Sequence, residues 1–506
     1  MAQDTPSISS SLRPIDADRF GLDEARHLLW RAGFGGTPQQ VKALAAWGPE
    51  KAVEALVDFD KSASYPAPRP DEFDATLVTE LSDEERLAVR RAAQSQDEDT
   101  LARFRQRRME QERRDRAQIV EVQKWWLRRL IESPRPLQEK MTLFWHGHFA
   151  TSYRTIENSY HMFLQNQSFR AHALGNFGEL LFAIIRDPAM IAYLDNNDSR
   201  RQAPNENLAR ELMELFSLGE GNYGEKDIKE GARALTGYSF RGNQFAFFPD
   251  RHDDGPKVIL GQSGNLDGDG FVRAILAQKA CSEFLAAKLY QFFVAPIPAR
   301  AEPGHREAVT VVTQMGSALR ASRYELRPVL RRLFLSEHFY DPAVRLARIK
   351  SPAELVVGAA RSLLAPTREL SVLLDAMDLM GQSLFFPPSV KGWDGGRRWI
   401  NTSTLFVRQN TLNYMLTGRT PQGFEPLADS RVFDPAPLLA PLSPDDRKDP
   451  ARLAGFLMRE LLGAAATEDQ RAALAHFLTS GPSPDHPDTL RGAIALITAL
   501  PQYQLC

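Results

Sequence analysis

Apolar residues recur at the spacing of an α-helix along most of this 506-residue chain. Helix-start signals accompany the pattern, and Thr37-Pro38 is a typical N-cap followed by proline at the first helical position. Only the stretch 236–261 has alternating, aromatic-rich sequence with Asp-Gly turn chemistry, which predicts a small β-hairpin. We therefore predict a mainly α fold, a large multi-helix body with one β-hairpin insertion.

The charge pattern subdivides this helical chain. Residues 82–131 are heavily charged until they reach Trp125-Trp126, which predicts a helical arm docked on the body by the two tryptophans. A solvated arm is the simpler interpretation of the charge run, and contact with a partner or an anionic polymer is the alternative. We expect a disordered N-terminal segment over 1–20, a helical core domain over 21–410 and a C-terminal helical extension over 411–506.

Composition excludes several classes of protein. Lys plus Arg is 62 and Asp plus Glu is 64, so no nucleic-acid partner is expected. The two cysteines, Cys281 and Cys506, exclude a disulfide framework and a cysteine-based zinc site. The sequence contains no run of 18 apolar residues, so no transmembrane segment is predicted. The first residues lack the regions of a signal peptide, and the alternative interpretation is a mature N-terminus at Ala2 whose leader was replaced by Met1. The sequence leaves the oligomeric state open.

The amphipathic stretch 206–218 is the first candidate for chemistry. Its polar face carries Glu206, Asn207, Arg210, Glu211 and Glu214, with opposite charges at i,i+4 in Glu206–Arg210 and Arg210–Glu214. One interpretation is a set of surface ion pairs. The other is a cleft in which Glu206 or Glu211 performs acid/base catalysis, Arg210 orients a carboxylate, or the carboxylates hold a hard metal ion.

Histidines supply a second set of candidates. His146-Gly147-His148 follows a predicted helix, and its histidines are interpreted as cap and core residues, metal ligands or proton carriers. His252 and Asp253 lie in a turn-like segment, where they serve either as ordinary turn residues or as a general base and ligands. The candidates for a divalent metal cofactor are therefore His146, His148, His252, Asp253 and Glu214.

A glycine-rich loop at 391–401 carries Trp393 and Trp399, which are interpreted either as a stacking wall or as core packing.

Residues 265–270 resemble the start of a calcium-binding loop, but Leu276 occupies the position where glutamate is needed, so Asp269 is predicted as an N-cap instead. No phosphate loop, dinucleotide fingerprint, nucleophile elbow or zincin motif is present. The candidate substrate-binding residues are Asp195, Asn196, Asn205, Asn207, Arg210, Lys257, Lys391, Trp393, Trp399 and Asn401.

Six ordered segments resemble a bacterial family known only as domain of unknown function 1800. They are HLLWRAGFGGTP (27–38), FWHGHF (144–149), YLDN (193–196), 204–240, 247–261 and 387–401. The family often has asparagine where this chain has Gly147 and tryptophan where it has Tyr238. The resemblance implies no agreed activity. Its members are commonly exported and often encoded beside a sulfatase-like family, which suggests an exported or periplasmic location and envelope polymer metabolism by analogy.

Together these patterns predict a hydrolase or lyase that acts on a carbohydrate-like or cell-envelope polymer. Glu206, Glu211, His146 and His252 are its candidate catalytic residues. The alternative is a non-enzymatic, envelope-associated or assembly protein whose polar motifs are structural networks. The two differ in geometry, because an enzyme requires the polar segments to converge around an open cavity.

Overall fold

The computed structural model of the chain describes residues 8–69, 71–78, 81–365, 367–419, 431 and 433–506. These residues form 22 α-helices and four short strands, which confirms the mainly α prediction. The first half contains α1 Leu22–Arg31, α2 Pro38–Val57, α3 Asp83–Ser95, α4 Glu98–Glu132, α5 Pro136–His148, α6 Tyr153–Ile156, α7 Ser159–Ala171, α8 Phe177–Ile184, α9 Pro188–Tyr193, α10 Asn207–Glu214 and α11 Glu225–Ala234. The second half contains α12 Gly268–Leu276, α13 Lys279–Phe293, α14 His305–Ala321, α15 Leu326–Leu335, α16 Pro352–Leu363, α17 Leu370–Leu379, α18 Thr402–Thr417, α19 Pro444–Lys448, α20 Pro450–Leu462, α21 Glu468–Leu478 and α22 Pro487–Ala499.

Side-chain caps begin many of these helices. The Thr37 hydroxyl accepts a hydrogen bond from the Gln40 amide, and the Gln40 side chain accepts one from the Thr37 amide, as a capping box requires. Ser351 and Glu354 form the same box at α16. The predicted cap at Asp269 is wrong, because the Asp267 carboxylate accepts from the Gly270 amide and α12 already begins at residue 268.

The strands form two antiparallel hairpins where the sequence predicted one. β1 (Tyr238–Arg241) pairs with β2 (Gln244–Phe247), and β3 (Lys257–Ile259) pairs with β4 (Gln262–Gly264). The second hairpin escaped prediction because its strands are only three residues long and carry little alternating pattern.

The charged arm is a helical hairpin. Gln96 adopts a left-handed backbone at the end of α3, and Asp97 then caps α4, so the two helices fold back on each other. An Arg107–Glu85 ion pair joins them. Trp125 and Trp126 are buried, as predicted, and fix the end of α4 in the body.

Two apolar clusters form the interior. The first gathers side chains from α1, α2, α5 and α8–α15, and the second gathers those from α4, α16–α18 and α20–α22. Helix α5 contributes to both, since Phe144 and Trp145 belong to the first cluster and Leu143 to the second. The segment His146–His148 therefore ends a helix that lies between the two clusters. No helix in the described ranges is long and apolar enough to cross a membrane.

Both ends of the described chain correct the predicted divisions. Leu12, Ile15 and Phe20 are buried, and the Ile15 amide donates to the Leu335 carbonyl at 2.8 Å, so residues 8–20 are packed rather than disordered. Residues 1–7 lie outside the described ranges. A boundary at 410/411 would cut α18, and α20–α22 share their apolar cluster with α16–α18, so the last helices have no separate core.

Candidate functional site

A cavity of about 470 Å³ opens beside the end of α5. Its walls come from α5, α13, the segment 348–351 and residues 385–399, which we call the tryptophan loop. A volume of this size falls within the range of small-molecule sites, about 300–1,000 Å³. The lining residues are Leu143, Phe144, Gly147, His148, Leu215, Lys288, Gln291, Phe292, Pro296, Arg348, Ile349, Ser351, Gln382, Val390, Lys391, Trp393, Asp394, Gly395, Gly396 and Trp399.

His148 lines this cavity with a fixed tautomer. Its Nε2 lies 2.9 Å from the Phe216 carbonyl oxygen, which can only accept, so Nε2 carries the proton and Nδ1 keeps its lone pair. Burial, assisted by the nearby Lys288 ammonium, lowers the pKa of His148 to about 3. His148 is therefore neutral at physiological pH and leaves Nδ1 as an acceptor.

His146 has a structural position instead. Its Nε2 accepts the Phe385 backbone N–H at 3.0 Å, and its ring packs against Trp126 and Trp393, with centroids 5.2 and 5.4 Å away. Burial lowers its pKa to about 3. The Phe385 bond occupies the Nε2 lone pair, so the predicted role as proton carrier or metal ligand at that atom is corrected to an anchor of the tryptophan loop.

The tryptophan loop begins with a strained residue. Phe385 has φ +67°, a left-handed conformation that is costly for a bulky side chain. Besides the bond to His146, its carbonyl accepts from the Tyr153 amide at 2.9 Å, and the Gln123 side chain donates to the Leu384 carbonyl at 2.8 Å. These bonds from three elements hold the start of the loop in place.

Glycine at 392 allows the loop to approach α5. Gly392 has φ +78°, and a methyl group on it would lie 2.2 Å from the Gly147 carbonyl oxygen. A methyl group at Gly147 would meet the Trp393 ring at an ordinary 3.6 Å. A side chain at position 147, where the resembling family often has asparagine, would therefore begin in van der Waals contact with Trp393.

We predict that Gly392→Ala displaces the loop and lowers the free energy of unfolding. The left-handed backbone costs about 1 kcal/mol for alanine, and overpacking against the Gly147 carbonyl adds about 1–3 kcal/mol. Gly396→Ala is the matched control, since Gly396 has φ +56° but open space around it, and should cost only the first amount. Urea denaturation measures both variants, and equal losses would contradict the close approach.

Glu211 has the burial and the raised pKa that are typical of a catalytic acid. It is half-buried on α10, and its Oε2 is buried with no hydrogen-bond partner among the described residues. Burial, then repulsion from Glu214, raises its pKa, while Arg210 and Lys391 act in the opposite direction. Leu215, one helical turn further on, lines the cavity, and Lys391 lies on its wall. The structure thus sets Glu211 beside the cavity rather than within its lining.

The other polar residues of this segment form ion pairs near the surface. Arg210 donates to Glu206 at 3.1 Å, as predicted, but its second partner is Glu225, and Glu214 accepts from the Tyr223 hydroxyl at 2.7 Å. About a third of the Glu206 and Arg210 side chains is exposed. Asn207 is also exposed.

The residues around 195–205 build a turn. Asn196 is fully buried and donates to the Leu235 and Tyr238 carbonyls at 3.1 and 2.9 Å. Asn205 donates to the Asp195 carbonyl at 3.1 Å, and its own side-chain oxygen accepts the Asn207 amide. These amides tie the turn to β1 and to α10, and they line no part of the cavity.

The candidate residues from the hairpin region also form hydrogen bonds or ion pairs within the protein. His252 Nδ1 lies 2.8 Å from the Thr236 carbonyl, and the Lys257 ammonium donates to the Asp253 and Gly255 carbonyls at 2.5 and 3.1 Å. Arg233 donates two hydrogen bonds to the Asp253 carboxylate, which lowers the pKa of Asp253 to about 2. None of these residues lines the cavity, so the predicted catalytic role of His252 gains no support from its position.

The structure therefore brings together only part of the predicted site. His148, Lys391, Trp393 and Trp399 line one cavity with Glu211 beside it, whereas Asn401 is the N-cap of α18 and accepts the Thr404 amide. In the described part of the chain, no three His, Cys, Asp or Glu side chains gather as metal ligands. The metal candidates His146, His148, His252, Asp253 and Glu214 are accordingly dispersed over α5, the hairpin region and α10.

Several lining residues were missed by sequence reasoning. Lys288, Gln291 and Phe292 share one face of α13 at the i, i+3 and i+4 positions, a spacing that could have marked them as a unit. Arg348 lies in a connecting segment, Ser351 is the N-cap of α16, and Gln382 lies in the loop after α17. Nothing in their local sequence distinguishes them from ordinary capping and surface residues.

Comparison with known proteins agrees with the segments quoted above. No curated protein and no solved structure matches the chain at a significant level. One family model, described as "Protein of unknown function (DUF1800)", matches residues 27–505. The match includes the helices after residue 410 and covers nearly the whole sequence. The chain therefore belongs to the DUF1800 family of proteins of unknown function.

Proposed function

We propose that the protein is a hydrolase or lyase that cleaves a carbohydrate-like polymer in the cavity beside α5, with Glu211 as the acid. The observation that carries the proposal is the Glu211 carboxyl, which has a buried and unpartnered oxygen one helical turn from the cavity wall. A carboxyl with a raised pKa keeps a proton for donation at a pH where ordinary carboxyls have lost theirs.

The cavity lining supports a ring-shaped substrate. Trp393 and Phe292 present aromatic surface, and Gln291, Ser351 and the Nδ1 atom of His148 offer hydrogen-bond partners for hydroxyl groups. Glu211 would donate its proton to the glycosidic oxygen as the carbon–oxygen bond breaks. In hydrolysis water adds to the anomeric carbon and a proton of that water restores the acid, whereas in elimination a proton leaves the neighbouring ring carbon for solvent and a carbon–carbon double bond forms. Hydrolysis and elimination share this step, so the proposal includes both.

A non-enzymatic role has its own support. Asn205, His252, Asp253 and Lys257 have polar groups bonded within the protein, and the side-chain nitrogen of Asn196 is bonded likewise, as expected of structural networks. This observation favours a framework role for those residues. It leaves the cavity and Glu211 as the place where catalysis and simple binding must be distinguished.

The test is a panel of carbohydrate polymers incubated with the full chain. New reducing ends report hydrolysis, and ultraviolet absorbance of unsaturated products reports elimination. We expect one product type, and we expect Trp393→Ala to raise KM roughly tenfold or more because it removes the stacking surface. Trp47→Ala is the control, since Trp47 is a half-exposed tryptophan of α2 outside the cavity. Absence of product from every polymer, or equal effects of the two variants, would overturn the proposal.

A further inference from the structure

The cavity is unevenly charged. Three cationic side chains, Lys288, Arg348 and Lys391, line it, against the single carboxylate of Asp394. Asp394 is largely exposed and forms an ion pair with Arg398 at 3.2 Å, so its negative charge is compensated by a residue of the same loop. Arg348 is likewise bound by Glu354 at 3.2 Å. The remaining positive charge belongs to the two lysines.

Neither lysine forms an ion pair with a described residue, although Lys391 lies near enough to Glu211 to act on the pKa of that carboxyl. Among the described residues, no carboxylate lies within ion-pair distance of the Lys288 or Lys391 ammonium group. Lys288 rests over the Phe284 ring, with its nitrogen 5.2 Å from the centroid. Surrounding protein atoms displace part of its hydration and lower its pKa. A partly dehydrated ammonium without a counterion gains from binding an anion.

The two lysines approach the cavity from different elements. Lys288 shares one face of α13 with Gln291 and Phe292, while Lys391 lies on the tryptophan loop two residues before Trp393. Aromatic rings on α13 and on the loop thus accompany a cation on each element. An anionic group attached to a ring matches this combination better than a neutral ring does.

We propose that the cavity selects a sugar ring that bears an acidic group, a carboxylate or a sulfate, and that Lys288 and Lys391 bind that group. The inference deepens the proposed function and rests on it for the sugar. Trp393 and Phe292 contact the ring, and the two ammonium groups supply the preference for charge.

Binding is tested on the full chain by isothermal titration calorimetry with three tetrasaccharide probes. One carries carboxylates (an oligogalacturonate), one carries sulfates (a carrageenan fragment), and one is neutral (cellotetraose). We expect one of the two acidic probes to bind at least about tenfold more tightly than the neutral one, since hydrogen bonds to charged groups are the stronger class. The preferred acidic probe identifies the anion.

Lys288→Gln combined with Lys391→Gln should remove this preference and weaken the salt dependence of binding. Lys279→Gln is the matched control, because Lys279 also lies on α13 but pairs with Glu283 at 2.6 Å, away from the cavity. It should keep the affinity for the preferred probe within about twofold.

The outcomes separate this inference from the proposed function. Selective acidic binding without cleavage by the wild type would uphold the inference and overturn the catalytic proposal. Cleavage of neutral polymers, together with equal affinity for charged and neutral probes, would uphold the catalytic proposal and overturn the inference. An unchanged preference in the double lysine variant would also overturn the inference.

Discussion

Replacing Glu354 with glutamine should lower the free energy of unfolding by about 3–5 kcal/mol, because it leaves buried cations without their counterion. The carboxylate accepts from the Lys140 ammonium at 2.5 Å, from Arg348 at 3.2 Å and from the Ser351 amide at 2.8 Å. Lys140 is fully buried and 2% of the Glu354 side chain is exposed. Glutamine keeps an acceptor for the cap but removes the charge, so the loss isolates the electrostatic contribution.

Control variants distinguish this effect from general sensitivity. Glu98→Gln breaks an exposed pair with Arg105 at 2.7 Å and should cost at most about 1 kcal/mol. Lys140→Met should cost less than Glu354→Gln, since Glu354 then still has Arg348. Urea denaturation measures all three. Comparable losses for Glu354→Gln and Glu98→Gln would show that the buried network contributes little.

Lowering the pH should weaken the same interaction between Glu354 and its cations. The cations Lys140 and Arg348 hold the pKa of Glu354 well below its usual range, despite the opposing effect of burial. Its contribution is therefore complete above the ordinary carboxyl pKa of about 4.3 and is lost as the pH falls toward the lower folded-state value. The difference in unfolding free energy between wild type and Glu354→Gln should shrink when measured below about pH 4.

The helical architecture could be predicted because its signals are local. Thr37-Pro38 and the tryptophans at the end of the charged stretch act within one or two turns of their own helix, and the structure has them as predicted. The break at Gln96 was missed because its left-handed backbone depends on α3 folding back along α4. Packing of residues 8–20 was missed for a related reason, since Ile15 bonds to Leu335, more than 300 residues away.

The candidate site was harder to predict because it is assembled from distant segments. Polar residue types alone did not separate Asn196, which ties a turn to β1, from Lys391, which lines the cavity. His146 and His148 are two positions apart, yet one anchors Phe385 and the other faces the cavity. Only the bonds that each side chain makes within the fold decide between these roles, and those bonds have no local sequence signature.

Glu211→Gln should lower kcat by about 10²–10⁴-fold, the usual contribution of a positioned general acid, while leaving binding of the preferred saccharide nearly unchanged. Glutamine has the same shape and retains a hydrogen-bond donor, but it cannot give a proton to the leaving oxygen. Glu206→Gln is the matched control on the same segment. Its carboxylate is partly exposed and paired with Arg210, so we expect a change of less than about twofold.

The pH dependence gives the sharper test. Because burial raises the pKa of Glu211, its acid form persists to a higher pH than that of an ordinary glutamate, and kcat should fall as the pH rises through the raised value. The folded state also binds this proton more tightly than the unfolded state, so the ionised carboxylate makes the fold less stable as the pH rises through the same window. Glu211→Gln should therefore remain folded while losing the alkaline limb of the rate profile. A variant that keeps both kcat and that limb would exclude Glu211 as the acid, whatever else the cavity binds.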